Sequence, residues 1–147
     1  MNLKLLFVFL LAILAAPTAF AQKQAETKAS SGLTKTRRIV YDMTEGDTAR
    51  HSGLMRQLNN VKRGWPDAQI EIVVHGRALN LLVTDKTTQA TAIKALQDKG
   101  VVFAACENTM RRLQVEKNQL LPGVLTVPMA IGEIITKQDE GWGYIKF

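Results

Sequence analysis

The chain has 147 residues and a formal net charge of +6, and 46% of its residues are hydrophobic. Its single cysteine excludes a disulfide within the chain, so stability must come from packing. Much of the excess positive charge lies in a polar segment, residues 22–38, and no cluster of basic residues is interleaved with aromatic ones, which argues against nucleic-acid binding.

The N-terminus has the pattern of a secretory signal peptide. A basic Lys4 precedes an apolar run over residues 5–16, and the small residues Ala19 and Ala21 flank the expected cleavage point. The run is shorter than the roughly 20 residues that cross a bilayer. We therefore predict cleavage after Ala21, a periplasmic or secreted protein, and no membrane span in the mature chain.

The rest of the chain divides into a leader and one domain. Residues 22–35 are polar and small, which predicts a flexible leader without packed structure. Residues 36–147 are enough for one domain with its own core, but too few for two.

Within this domain, β-branched runs alternate with segments that have helical spacing. The predicted strands are 37–43, 68–76, 101–106, 124–128 and 142–147, and the predicted helices are 47–65, 78–83, 87–100, 107–115 and 129–141. Asp47 is predicted to cap the N-terminus of the first helix. The helix within 87–100 is predicted to be capped by a threonine at its start and to end at Gly100. Strands separated by helices run parallel, so the pattern predicts an α/β fold with a five-stranded, mainly parallel sheet and helices on both faces.

In such sheets, ligands bind outside the carboxyl ends of the strands. That rule selects the residues at the end of each predicted strand or directly after it: Tyr41, Asp42 and Met43; His75, Gly76 and Arg77; Cys106, Glu107, Asn108 and Thr109; and Pro128. The single thiol and one of the two histidines are thus predicted to share one edge of the sheet.

Cys106 has two interpretations at this stage. A thiol at the start of a helix is stabilised as a thiolate by free backbone N–H groups, and an imidazolium at His75 would add to this effect. The alternative is a buried cysteine that acts as a small apolar side chain in a tight strand-to-helix turn.

Several stretches together resemble the DsrE/DsrF-like family of small sulfur-relay proteins, in a signal-bearing branch without an assigned function. They are "RRIVYDM", "IEIVVHGRALNLLV", "LQDKGVVFAACENTMRRLQV" and "LLPGVLTVPMAIGEIITKQDEGWGYIKF". The resemblance covers about residues 36–147 and depends on the order of its parts: His-Gly, Cys-x-Asn-Thr, Leu-Pro-Gly-Val and the aromatic tail.

The resemblance implies a flavodoxin-like fold, assembly into a trimer or related ring, and a cysteine that carries sulfur as a persulfide. By position, Cys106 matches the sulfur-bearing cysteine of the family. His75 and Gly76 match the His-Gly pair beside that cysteine, and Asn108 matches the asparagine of the cysteine loop. The sequence departs from the sulfur-relay members in one respect, since those act in the cytoplasm with partner sulfurtransferases and this chain carries an export signal.

Two functions therefore remain open. The first is sulfur handling, with Cys106 and His75 as the catalytic pair and a sulfur donor or acceptor protein as partner. The second is a non-catalytic oligomeric module that binds a small anion or a protein segment at the same edge. In either case Gly76, Asn108, Thr109 and Asp42 are the candidate ligand-binding residues.

Other chemistries find less support. The chain has no glycine-rich phosphate loop, so no nucleotide or flavin cofactor is predicted. It also has no serine-hydrolase elbow, so hydrolysis by a serine triad is not supported. His75 and Cys106 would give a metal only two ligands, with Asp42 or His51 as a third, and no metal site is predicted. His51 is predicted to be an exposed helix residue, and Trp142 and Tyr144 are predicted to pack against the sheet.

Overall fold

The computed structural model of the protein describes residues 36–147, so the predicted signal peptide (1–21) and leader (22–35) lie outside the described residues. The elements in chain order are β1 (Arg38–Met43), α1 (Thr48–Gly64), β2 (Gln69–Val74), a 3₁₀ helix (Gly76–Leu82), α2 (Ala90–Gln97), β3 (Val101–Cys106), α3 (Glu107–Leu113), a 3₁₀ turn (Lys117–Gln119), β4 (Leu125–Val127), α4 (Ala130–Asp139) and β5 (Gly143–Lys146).

The five strands form one parallel sheet in the order β4-β3-β2-β1-β5. From β1 to β4 each new strand is added on the same side, and right-handed crossovers then place α1, α2 and α3 on one face. The last crossover runs in the opposite direction, from β4 to the far side of β1, so α4 covers the other face. This arrangement confirms the predicted α/β fold with helices on both faces.

Successive residues of each strand point to opposite faces of the sheet and so contribute to two hydrophobic cores of different size. Tyr41 and Met43 of β1 point to the face of α1, where a large apolar core also contains Leu54, Leu58 and Phe103. The core under α4 is much smaller, and its buried members are Val40, Val73, Cys106, Ala130 and Ile134. Cys106 thus points to the thinly covered face.

Two of the three predicted helix boundaries are confirmed. The Asp47 carboxylate accepts the Ala49 N–H at 2.8 Å at the start of α1, and Gly100 has a φ of +80°, which glycine adopts readily, between α2 and β3. The predicted threonine cap is wrong, because α2 begins after Gln89, whose side chain makes no capping bond. Thr87 instead accepts the Gln89 N–H at 3.0 Å and shapes the turn before the helix.

The strand registers bring the predicted site residues to the same edge. Met43 pairs with Val74, and Val74 pairs with Ala105, so β1, β2 and β3 end at the same level. Asp42 lies one residue before that level, and Cys106 lies one residue beyond it. Within residues 36–147, no helix is long and apolar enough to cross a membrane.

Candidate functional site

Cys106 ends β3 and lies beneath the start of α4. The residue is 4% exposed, and its Sγ accepts the N–H of Ala130 at 3.4 Å. Ala130 is the first residue of α4, where backbone N–H groups have no partner within the helix. The sulfur therefore occupies a position that satisfies a helix-end donor.

Further donors converge on the same sulfur from the turn into α3. Burial opposes ionisation of the thiol, but hydrogen bonds from the Thr109 and Ala130 N–H groups, the Thr109 hydroxyl and the Asn108 N–H outweigh it and hold the pKa of Cys106 below its usual value. Each of these donors is stronger toward a thiolate than toward a thiol, because charge strengthens a hydrogen bond. The surroundings of Cys106 therefore favour a nucleophilic sulfur.

Thr109 connects the sulfur to the segment that follows β2. Its hydroxyl accepts the Gly76 N–H at 3.2 Å, and the same buried hydroxyl helps to lower the pKa of Cys106, so Thr109 relates the two strand ends to each other. Gly76 has a φ of +62°, in the left-handed region where other residues are strained. The glycine thus allows the chain to turn sharply after His75 and present its N–H to Thr109.

Asp42 is the centre of a second group of polar side chains. One carboxylate oxygen, Oδ1, lies 2.8 Å from His75 Nε2, and the other, Oδ2, accepts from the Tyr144 hydroxyl at 2.9 Å and lies 3.1 Å from Lys146 Nζ. Burial opposes ionisation of Asp42, but these donors, with His75 the strongest, hold the pKa of its carboxyl below the usual range. Asp42 is therefore an ionised acceptor.

His75 is oriented by this carboxylate. Because an ionised Asp42 can only accept, the Nε2 atom of His75 carries a proton, and the Nδ1 atom is the nitrogen left to take up or release one. Extending the register of Val74 and Ala105 by one residue places His75 beside Cys106, on the face covered by α4. His75 and Asp42 thus form a hydrogen-bonded pair at the same edge of the sheet as Cys106.

The structure places the predicted site residues in two adjoining groups. Cys106, Thr109 and Gly76 form the first, and Asp42 and His75 form the second. Asn108 contributes its backbone N–H to the first group, while its exposed side chain contacts Arg111. The neighbouring Glu107 has the wrong charge for a thiolate site, but it forms an ion pair with Lys117 at 3.3 Å.

Sequence reasoning missed three contributors. Ala130 acts through its backbone N–H, which has no residue-type signature. Tyr144 was expected to pack, but it is 42% exposed and donates to Asp42, as does Lys146 two residues later. The alternation Tyr-x-Lys on a closing strand was the available signal, because it places both side chains on one face.

The prediction for His51 is also wrong. This residue is buried, and its Nε2 lies 2.8 Å from the carbonyl oxygen of Glu45, in the loop between β1 and α1. Its role is to hold that loop rather than to face solvent. Across residues 36–147, no three His, Cys, Asp or Glu side chains are grouped so that they could hold a metal ion.

Fold and site together define a class: a parallel α/β protein with a buried cysteine, hydrogen-bonded to a helix-end N–H, at the carboxyl edge of its sheet. Residues 36–147 match the model of the DsrE/DsrF-like family, and the chain belongs to that family. The family is generally associated with sulfur relay. Searching curated proteins gives no match.

Solved structures agree with this assignment. The chain is 32% identical to the protein of unknown function MTH1491 from Methanobacterium thermoautotrophicum, with a TM-score of 0.72 over 76% of this chain and 99% of that one. Two other solved structures share the fold. The ychN protein from E. coli is 8% identical, with a TM-score of 0.64 over 76% of this chain and 99% of that one. The protein of unknown function BT1422 from Bacteroides thetaiotaomicron is 23% identical, with a TM-score of 0.56 over 75% of this chain and 94% of that one.

Proposed function

We propose that the protein handles sulfane sulfur, with Cys106 as the atom that accepts and carries it as a persulfide. The observation that carries this proposal is the Ala130 N–H, at the start of a helix, which donates to Cys106 Sγ at 3.4 Å in surroundings that lower the pKa of this buried thiol. A cysteine that only fills space needs no such donor. Membership of a family associated with sulfur relay supports the same chemistry.

The proposed reaction is a single displacement. The Cys106 thiolate attacks the outer sulfur of a donor persulfide R–S–SH, a new S–S bond forms to Cys106, and the old S–S bond breaks to release R–S⁻. In this step His75, which the Asp42 carboxylate orients, gives a proton to the leaving thiolate. In transfer to an acceptor thiol, the same steps run in reverse.

Intact-mass measurement tests the proposal directly. Exposing the domain to inorganic polysulfide is expected to add about 32 Da per sulfur atom, the signature of a persulfide, and treatment with a thiol reductant should remove it. The matched control is Cys106→Ser, which should fold and gain no mass. Native protein whose Cys106 gains no mass and resists alkylation near neutral pH would contradict sulfur handling.

A second function is favoured by one observation. Cys106 is only 4% exposed, and a thiol with so little access suits a site that binds a small anion or a partner segment without reacting. In that case the hydrogen bonds to Cys106 would only stabilise the fold, and the polar side chains around Asp42 would bind the anion or the partner segment. The mass experiment separates the two functions.

We also propose that the protein acts as an oligomer in the periplasm or outside the cell. The export pattern of residues 1–21 supports the location. Support for self-association comes from exposed apolar side chains on and beside α4: Ile131, Ile135, Met129 and Leu125. Ile131 and Ile135 are one helical turn apart, so they form a stripe that a second copy would cover.

Charging this stripe is expected to dissociate the oligomer. In an Ile131→Glu/Ile135→Glu variant, two carboxylates would have to be desolvated at the interface, so light scattering should report monomers where the unmodified domain forms a trimer or related ring. A matched control is Leu113→Glu, at an exposed apolar residue at the end of α3. An unmodified domain that is monomeric at micromolar concentration would contradict the proposal.

A further inference from the structure

Helix α4 is attached to the sheet by few apolar contacts. Among residues 36–147, five buried residues make up its core, with Val127 and Trp142 packed against them, whereas the helices of the opposite face share a much larger core. Apolar contacts have no preferred direction, so a thin layer of them permits small sliding or rotation of the helix. A directional contact is needed to fix its position.

A buried ion pair provides that contact. Lys137, in the last turns of α4, lies 3.0 Å from a carboxylate oxygen of Glu71 in the middle of β2, and the two side chains are 19% and 8% exposed. The same ammonium lies 3.4 Å from Glu133 and 4.8 Å from the centre of the Trp142 ring. These partners restrain Lys137 from several directions.

The opposite end of the same helix contacts the sulfur of Cys106, which belongs to β3. Ala130, which donates its N–H to Cys106 Sγ, and Lys137 are seven positions apart, or about 10 Å along an α-helix. A short helix moves as a rigid unit, so a shift at Lys137 is transmitted to Ala130. An N–H···S bond weakens steeply with misalignment, unlike the apolar contacts around it.

We propose that Glu71 and Lys137 are positioning residues for Cys106, which set the place of helix α4 and thereby keep the Ala130 N–H on the sulfur. The inference rests on the proposed function, since it assigns to this ion pair the maintenance of the thiolate. It gives a role to the buried Glu71 and the partly buried Lys137, whose ion pair lies at the other end of helix α4 from Cys106.

Removing both charges together tests this role without leaving a buried charge unpaired. In a Glu71→Gln/Lys137→Met variant, titration of the Cys106 thiolate by its absorbance near 240 nm should show a thiolate fraction about three- to tenfold lower at a fixed pH below the pKa, the effect of weakening one hydrogen bond to a charged group. The matched control is Lys94→Met/Asp98→Asn, which removes an exposed ion pair on α2 and should leave the titration unchanged.

The outcomes are separable. A double variant that melts at a lower temperature but keeps the unmodified Cys106 titration would show that the pair is only structural and would overturn the inference. If the double variant fails to fold, Glu71→Gln alone, a near-isosteric change that keeps an acceptor for Lys137, should show a smaller shift of the titration in the same direction, and no shift would again overturn it. If Cys106 in the unmodified protein instead titrates with the pKa of a free cysteine, that result would refute the proposed function.

Discussion

Removing two of the groups that hold down the pKa of Cys106 is expected to raise that pKa and to lower the fraction of thiolate at a given pH. Ala130→Pro deletes the N–H that reaches the sulfur, and Thr109→Val deletes the hydroxyl while nearly keeping its shape. Each loss of a hydrogen bond to a charged group should lower the thiolate fraction about tenfold, and the two together about a hundredfold if they act independently.

The backbone suits the proline. Ala130 is the first residue of α4, a position that proline favours because its missing N–H is not used within the helix, and the preceding Met129 is extended, as a residue before proline must be. The rate of Cys106 alkylation between pH 5 and 9 measures the effect. The control is Thr48→Pro, at the first position of α1, where the preceding Asp47 is extended and its carboxylate accepts the N–H of Ala49 and not that of Thr48. Equal alkylation rates in the altered and unmodified proteins would show that the donors do not activate Cys106.

Replacing Asp42 with alanine is expected to damage both the fold and the site. Three donors, from His75, Tyr144 and Lys146, would lose their common acceptor at a largely buried position. We expect a loss of roughly 3 kcal/mol in the free energy of unfolding, as for other broken buried pairs, measured by urea denaturation. Sulfur loading should slow as well, because His75 would lose its orienting partner.

The pH dependence gives an independent check on Asp42. The folded-state pKa of its carboxyl lies below the unfolded value, so its contribution is present in full above that value and is lost as pH falls through the folded-state pKa. The difference in stability between the unmodified protein and Asp42→Ala should therefore shrink under strongly acidic conditions, below roughly pH 3.9. Tyr144→Phe, which keeps the carboxylate and removes one donor, is the matched mild variant. A difference that does not depend on pH would show that the charge of Asp42 is not what stabilises the domain.

The sequence alone determined the elements and their consequences for topology. Apolar β-branched runs such as Val101–Cys106 alternate with helical spacing, and that alternation is a local property of the chain. It was sufficient to predict parallel strands, and hence to place His75 and Cys106 at one edge, because the carboxyl ends of parallel strands point the same way.

The tertiary structure alone decided which groups meet at that edge. Ala130 contacts Cys106 from 24 positions away in the chain, and Tyr144 and Lys146 contact Asp42 from more than 100 positions away. These contacts depend on strand order and on the direction of the last crossover, which places β5 beside β1 and α4 over the sulfur. Local periodicity contains no information about either, since it specifies which face a residue occupies and not which distant strand becomes its neighbour.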